Sequence, residues 1–233
     1  IANMIAELSD STVYNCAVSG TYLASTYNYI NPEDAFNLYW LTTAFYYNDL
    51  YNVKSSYGDL FEEYSDQLSP EGIDAFETLC SIDFNTVDVI GIMYDAHDYL
   101  AGKPLINHDK HDDIYCFTGN LVASIEAIQK TYPHIRIIVM SPTYAYAINP
   151  DGEYISSDLY CYLEDYKLST YALSMEYFTT IHGVTFVDNI YGTVNETNAD
   201  QYLLDHISLN TNGREKLAKR FVEALTYYDT KKE

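Results

Sequence analysis

Thr86-Val87-Asp88-Val89-Ile90-Gly91-Ile92-Met93, running into Tyr94-Asp95-Ala96-His97-Asp98-Tyr99, is the stretch from which the fold is read. A near-continuous apolar run of this length, rich in β-branched residues, is the pattern of a strand covered on both faces rather than of a half-wetted one. It predicts an interior strand of a parallel sheet that stops at the polar cluster of residues 94–99. Three further runs read the same way. Val13-Tyr14-Asn15-Cys16-Ala17-Val18 is ended by Ser19-Gly20, and Arg136-Ile137-Ile138-Val139-Met140 is closed by Ser141-Pro142-Thr143. The last, Val184-Thr185-Phe186-Val187-Asp188, is preceded by Gly183. Four strands are therefore expected.

Helical patterns lie between and around these runs. Ile1, Met4, Ile5 and Leu8 fall on one helix face and are followed by a turn at Ser9-Asp10-Ser11. Asn31-Pro32-Glu33-Asp34 places an N-cap, a proline at the first helical position and acids in the first turn, and opens a segment to about Val53. Ser69-Pro70-Glu71 opens a second helix in the same way. A helix from about Asp113 to Tyr132 carries Leu121, Ile125 and Ile128 on one face and is stopped by Pro133. Residues 144–158 are a Tyr-rich excursion, Leu159 to Thr180 read as helical, and the last helix runs from Thr211 to Leu225. Strands alternating with helices argue for an α/β fold, a doubly wound parallel sheet with helices on both faces. A chain of 233 residues suits one core, so residues 1–228 are expected to form a single α/β domain and 229–233 a frayed, charged tail.

Composition narrows the partners. Lys and Arg total 12 against 34 Asp and Glu, a net charge of −22, which repels phosphate backbones and anionic lipid. Nucleic acid and membrane surfaces are thus set aside as partners. With 48% hydrophobic and 20% charged residues the chain is built to fold. Cys16, Cys80, Cys116 and Cys161 show no zinc spacing and read as reduced thiols packed like small hydrophobes. The 26 tyrosines read as half-exposed core edges, or as ring faces and hydroxyls for sugars or peptides.

In a sheet of this kind chemistry gathers at the carboxyl ends of the strands, here loops 19–25, 94–99, 141–147 and 188–192. Val13 to Thr21, Asp88 to Tyr99, and Asp205-His206-Ile207-Ser208-Leu209-Asn210 followed by Gly213-Arg214 and a helix resemble three conserved blocks of SGNH/GDSL-type hydrolases. The likeness keeps their order and spacing over nearly the whole chain. It implies an SGNH-hydrolase/flavodoxin-like three-layer sandwich and hydrolysis of carboxylic or acetyl esters, small-molecule or carbohydrate esters among them. Gly20 stands where the family uses a backbone N–H in the oxyanion hole. In the block that reads Gly-x-Asn-Asp, Asp95 replaces the glycine and His97 the asparagine, while Asp98 is kept. In the last block Asp205 is kept, and Ser208 occupies the place of the general-base histidine, with His206 one residue after Asp205. The family nucleophile belongs to a Gly-Asp-Ser motif after a first strand. Ser9-Asp10-Ser11 imitates it but follows helical residues, so that strand and its serine are expected upstream of Ile1.

The implied mechanism has an upstream serine attacking, Gly20 N–H and His97 stabilising the oxyanion, and Asp205 orienting the base, for which His206 is the nearby imidazole. A histidine can donate where an amide did, whereas a carboxylate at Asp95 beside an oxyanion opposes the charge that must form. The departures at Asp95, His97 and Ser208 support another reading, a catalytically degenerate protein that binds a glycan or peptide through a Tyr-rich cleft. A third treats Asp95, His97 and Asp98 as ligands of a cation, as His108, Asp109, His111, Asp112 and Asp113 could also be. An internal hydrogen-bond network and a solvated loop are the plainer accounts of those clusters, so neither metal nor cofactor is expected. Asn195-Glu196-Thr197 spells a glycosylation acceptor for a eukaryotic secretory protein.

Overall fold

The computed structural model describes residues 1–26, 36–43, 65–163 and 165–227. The fold is α/β, with a parallel sheet flanked by helices. Contacts group the chain into two compact units. The first comprises Ile1–Val13, Gly91–Lys103 and Ile137–Glu233, the second Tyr14–Ile90 and Pro104–Arg136.

The sheet has the order β1 (Val89–Met93), β2 (Arg136–Met140), β5 (Thr185–Val187). β2 pairs in parallel with β5, Ile138 opposite Thr185 and Met140 opposite Val187. It is the interior strand: Ile138, Val139 and Met140 are all 0% exposed. The run Thr86–Met93, read from sequence as an interior strand, is shorter and less covered. Its first residue ends a 3-10 turn, Phe84–Thr86, in which the Asp83 carboxylate accepts from Asn85 N–H, and within β1 only Ile92 is buried. The difference follows from position, since β2 has a strand on either side and β1 lies at one side of the three described strands.

In the first unit the helices Leu168–Ile181 and Thr211–Thr226 both pack on β5, and Ala2–Ser9 lies along Thr211–Thr226. Phe221 of the last helix covers Gly91 of β1 so closely that a Cβ there would meet the ring at 2.8 Å. The expected turn after the first helix is present, with Asp10 in the left-handed region at φ 51°. The carboxyl ends of β2 and β5 are tied by Asn189, whose N–H donates to Ser141 Oγ (2.8 Å) and whose Nδ2 donates to Ser141 O (2.9 Å). Within the Tyr-rich excursion, β3 (Tyr146–Ile148) and β4 (Tyr154–Ser156) form an antiparallel hairpin that periodicity had not indicated. The following helix begins at Leu168 rather than at Leu159. Tyr162, in the stretch between, turns its hydroxyl onto the backbone of β3 instead of extending a helix.

In the second unit the Ser69 cap and Pro70 work as read: Ser69 Oγ accepts from Gly72 N–H (3.1 Å) and the helix runs Pro70–Ser81. The helix Phe117–Thr131 buries Leu121, Ile125 and Ile128 completely. Val13–Val18 is not a strand. Of its residues only Val18 is buried, Tyr14 is 54% exposed, and Asn15 Oδ1 takes the Ala17 N–H that a ladder would have used. The sheet therefore holds three of the four expected strands. Residues 38–43 are helical, while the Asn31–Asp34 helix start, residues 44–53 and the 229–233 tail lie outside the described residues. All four cysteines are free, and burial pushes the Cys16 and Cys116 thiols up to about 11. Among the described residues no helix is long and apolar enough to cross a membrane.

Candidate active site

β1 ends at Met93, and the chain turns through Asp95 into the one-turn helix His97–Leu100. The turn is made by Asp95 itself: its Oδ1 accepts the His97 N–H (3.0 Å), an Asx turn. One intervening residue lets the His97 ring fold back over the same carboxylate, and Nδ1 hydrogen-bonds to Oδ1. Ala96, Asp98 and Tyr99 are each 1% exposed and anchor this segment, whereas the side chains of His97 and Asp95 are 44% and 52% exposed. Tyr99 reaches across to donate to Tyr160 O (2.7 Å), and burial drives its hydroxyl pKa upward. The pair is thus open to a ligand on a base fixed in the core.

The hydrogen bond to Asp95 raises the His97 pKa above its ordinary value, against partial burial, and the charges of Asp95, Asp98 and Asp205 raise it further. An ionised carboxylate only accepts, so the proton of the neutral ring sits on Nδ1 and the lone pair on Nε2. A ring committed in that way offers a base at Nε2, where an asparagine amide would offer an N–H. Asp95 is the residue that orients the ring.

Asp205 is held differently. Its Oδ1 accepts the N–H groups of Ser208 (2.6 Å) and Ile207 (2.8 Å), which pull its pKa below the ordinary value, helped by the Ser208 side chain. Ser208 is exposed and closes the loop through its carbonyl, which accepts from Leu204 N–H (2.8 Å). Beyond it Asn210 caps the final helix by accepting from Gly213 N–H (3.0 Å), and Gly213 passes so near Tyr202 O that a Cβ would come to 2.6 Å. His206 Nδ1 lies 4.0 Å from Asp205 Oδ1, beyond hydrogen-bond length. Its ring turns instead toward Tyr154, with centroids 5.7 Å apart.

His97, Asp205, His206 and Ser208 all belong to the first unit, and the Asp205 charge acts on His97. Gly20 belongs to the second unit, where it adopts φ +84°, a conformation that favours glycine. The Asn107–Asp113 loop closes on itself through Asn107 Nδ2 donating to Asp113 Oδ2 (2.7 Å). Among the described residues no three His, Cys, Asp or Glu side chains converge as metal ligands.

A solved structure of a protein from Lactobacillus plantarum aligns with this chain at TM-score 0.51 and 19% identity, over 63% of this chain and 70% of that one. A second solved structure gives TM-score 0.53 and 21% identity, over 69% and 74%. The likeness is one of fold. A possible lipase from Chitinophaga pinensis DSM 2588 aligns at TM-score 0.47 and 12% identity, over 80% of this chain and 96% of that one. No protein-family model and no curated protein matches the chain.

Proposed function

We propose that this chain is an ester hydrolase of the SGNH/GDSL type its sequence resembles, acting on carboxylic or acetyl esters with the Asp95–His97 pair as its proton-transfer machinery. The observation that carries the reading is the hydrogen bond from His97 Nδ1 to Asp95 at an open strand end. Neutral His97 takes the proton of the attacking hydroxyl onto Nε2 as that oxygen bonds to the ester carbon. The resulting imidazolium is stabilised by Asp95, with Asp98 and Asp205 adding to the same field. When the tetrahedral intermediate collapses, the ester C–O bond breaks and Nε2 returns the proton to the leaving oxygen. Where the attacking oxygen is a serine's, a water then repeats both steps on the acyl-enzyme, giving one proton to Nε2, which passes it to the serine oxygen as the acid leaves. Positioned proton transfer of this kind contributes roughly 10²–10⁴-fold to rate.

Hydrolysis of p-nitrophenyl acetate by the wild-type protein and by His97→Ala tests the reading. A base must be neutral to work, so wild-type activity is expected to rise with pH through the raised His97 pKa. A donor to the oxyanion must be protonated, and the same profile would then fall. Absence of turnover in the wild type, or equal turnover in His97→Ala, overturns the proposal. Labelling with a serine-reactive aryl phosphonate separates attack by a serine from attack by water.

A further inference from the structure

The hairpin β3–β4 stands beside Asp205 and carries aromatic side chains for which the proton-transfer step has no use. Its register pairs Tyr146 with Ser156 and Ile148 with Tyr154, which puts Tyr146 and Tyr154 on one face as diagonal neighbours. Their rings stack at 6.0 Å with 12° between planes. Tyr146 in turn meets the edge of Tyr144 at 5.2 Å, and Tyr144 is 1% exposed. The rings therefore form a ladder from the core to the surface, and its outermost member, Tyr154, is 57% exposed.

The ladder is fixed at each rung. Tyr146 OH donates to Asp200 Oδ1 (3.1 Å), and Tyr146 N–H donates to His206 O (2.7 Å), so the hairpin is bonded to the residue that follows Asp205. Tyr162 OH holds the backbone of Ile148, accepting its N–H (2.6 Å) and donating to its carbonyl (3.0 Å). Glu153 N–H donates to Asn149 Oδ1 (2.8 Å) and closes the turn. With Tyr146 stacked on it and the His206 ring tilted against it at 5.7 Å, Tyr154 is held in place while more than half of it stays open to a ligand.

We propose that Tyr154 is a stacking platform for the pyranose ring of a neutral saccharide. Two observations choose this chemistry. A pyranose presents a flat C–H face, carrying partial positive charge, to the negative face of an aromatic ring. Its hydroxyls are donors, and the groups near the platform, Asp200 and Asp205, carry carboxylate acceptors. A chain of net charge −22 with these carboxylates at the site opposes phosphorylated or uronate ligands. The platform rests on the proposed hydrolase only in that the bound sugar would then be part of the ester.

The test uses the intact protein, with xylohexaose, cellohexaose and N-acetylchitohexaose as neutral probes and oligogalacturonate as the anionic control, followed by calorimetry and by NMR of the tyrosine rings. At least one neutral oligosaccharide is expected to bind and to shift the Tyr154 ring signals, and the anionic control is not. Tyr154→Ala is expected to weaken that binding about two- to tenfold, the size of one aromatic contact, and Tyr154→Phe to retain it. No binding of any neutral probe, or binding equal in Tyr154→Ala and wild type, overturns the platform even where p-nitrophenyl acetate is turned over. Saccharide binding that depends on Tyr154, in a wild type without esterase activity, upholds the platform and overturns the hydrolase, leaving a glycan-binding protein.

Discussion

In Asp95-Ala96-His97 the carboxylate and the imidazole are separated by one residue, and a single oxygen of Asp95 takes both the backbone N–H and the Nδ1 of His97. In Asp205-His206 they are neighbours, and the carboxylate is taken up by the N–H groups of Ile207 and Ser208 while the ring turns to Tyr154. The same two residue types therefore yield an oriented imidazole in one loop and a turn clamp in the other. What separates them is the demand of nearby backbone donors: a carboxylate that caps two N–H groups further along the chain faces away from the side chain beside it. Chemical identity alone does not make a catalytic pair; the local turn assigns the partners.

The largest expected effect breaks this contrast directly. His97→Ala is expected to lower kcat/KM for p-nitrophenyl acetate by about 10²–10⁴-fold, and His206→Ala by less than about tenfold, as read from initial rates on purified variants. Next comes Asp95→Asn, which removes the largest cause of the raised His97 pKa. The acidic limb of the pH–rate profile should move to lower pH while the plateau falls by about tenfold or more. A limb that stays in place would mean that some other group titrates in the profile.

Much of this was legible in the sequence, and the remainder has identifiable causes. β2 matches its apolar run residue for residue, and the helix that starts at Ser69-Pro70 matches its cap, because each depends on local pattern and on burial from every side. Val13–Val18 shows equal hydrophobic content, yet Asn15 offers its side chain to the backbone and the run stays largely exposed. The strands of the β3–β4 hairpin are three residues each, too short for a period to emerge. At the site, the Asp-x-His spacing was present in the letters, and the family pattern sets Asp95 where it has a glycine; the bond between the two side chains is what the letters did not show. The direction of His206 was not legible at all, since Tyr154, which its ring meets, lies far away in sequence.

Smaller effects sharpen the comparison through stability. Asp205→Ala removes the acceptor of two backbone N–H groups and is expected to cost about 1 kcal/mol in urea unfolding at neutral pH, as loss of a cap does. The Asp205 pKa is lower in the folded chain, so its contribution is present above the unfolded carboxylate pKa and is lost as pH falls through the folded one. The variant and the wild type should therefore converge in acid. The Asp95–His97 pair has the opposite sign. The raised His97 pKa contributes stability below the unfolded histidine value, and that contribution is lost as pH rises through the folded value. Both side chains are more than a third exposed, so the effect is expected to stay under about 1 kcal/mol and to shrink with added salt.

The central claim, that Asp95 holds the His97 ring with its basic nitrogen outward, is tested most directly by long-range ¹H–¹⁵N NMR of the histidine side chains through a pH titration. The account expects a neutral His97 protonated at Nδ1, titrating above the ordinary histidine value, and brought back toward that value by Asp95→Asn. A neutral His97 protonated at Nε2, or one whose titration is indifferent to Asp95→Asn, would contradict it.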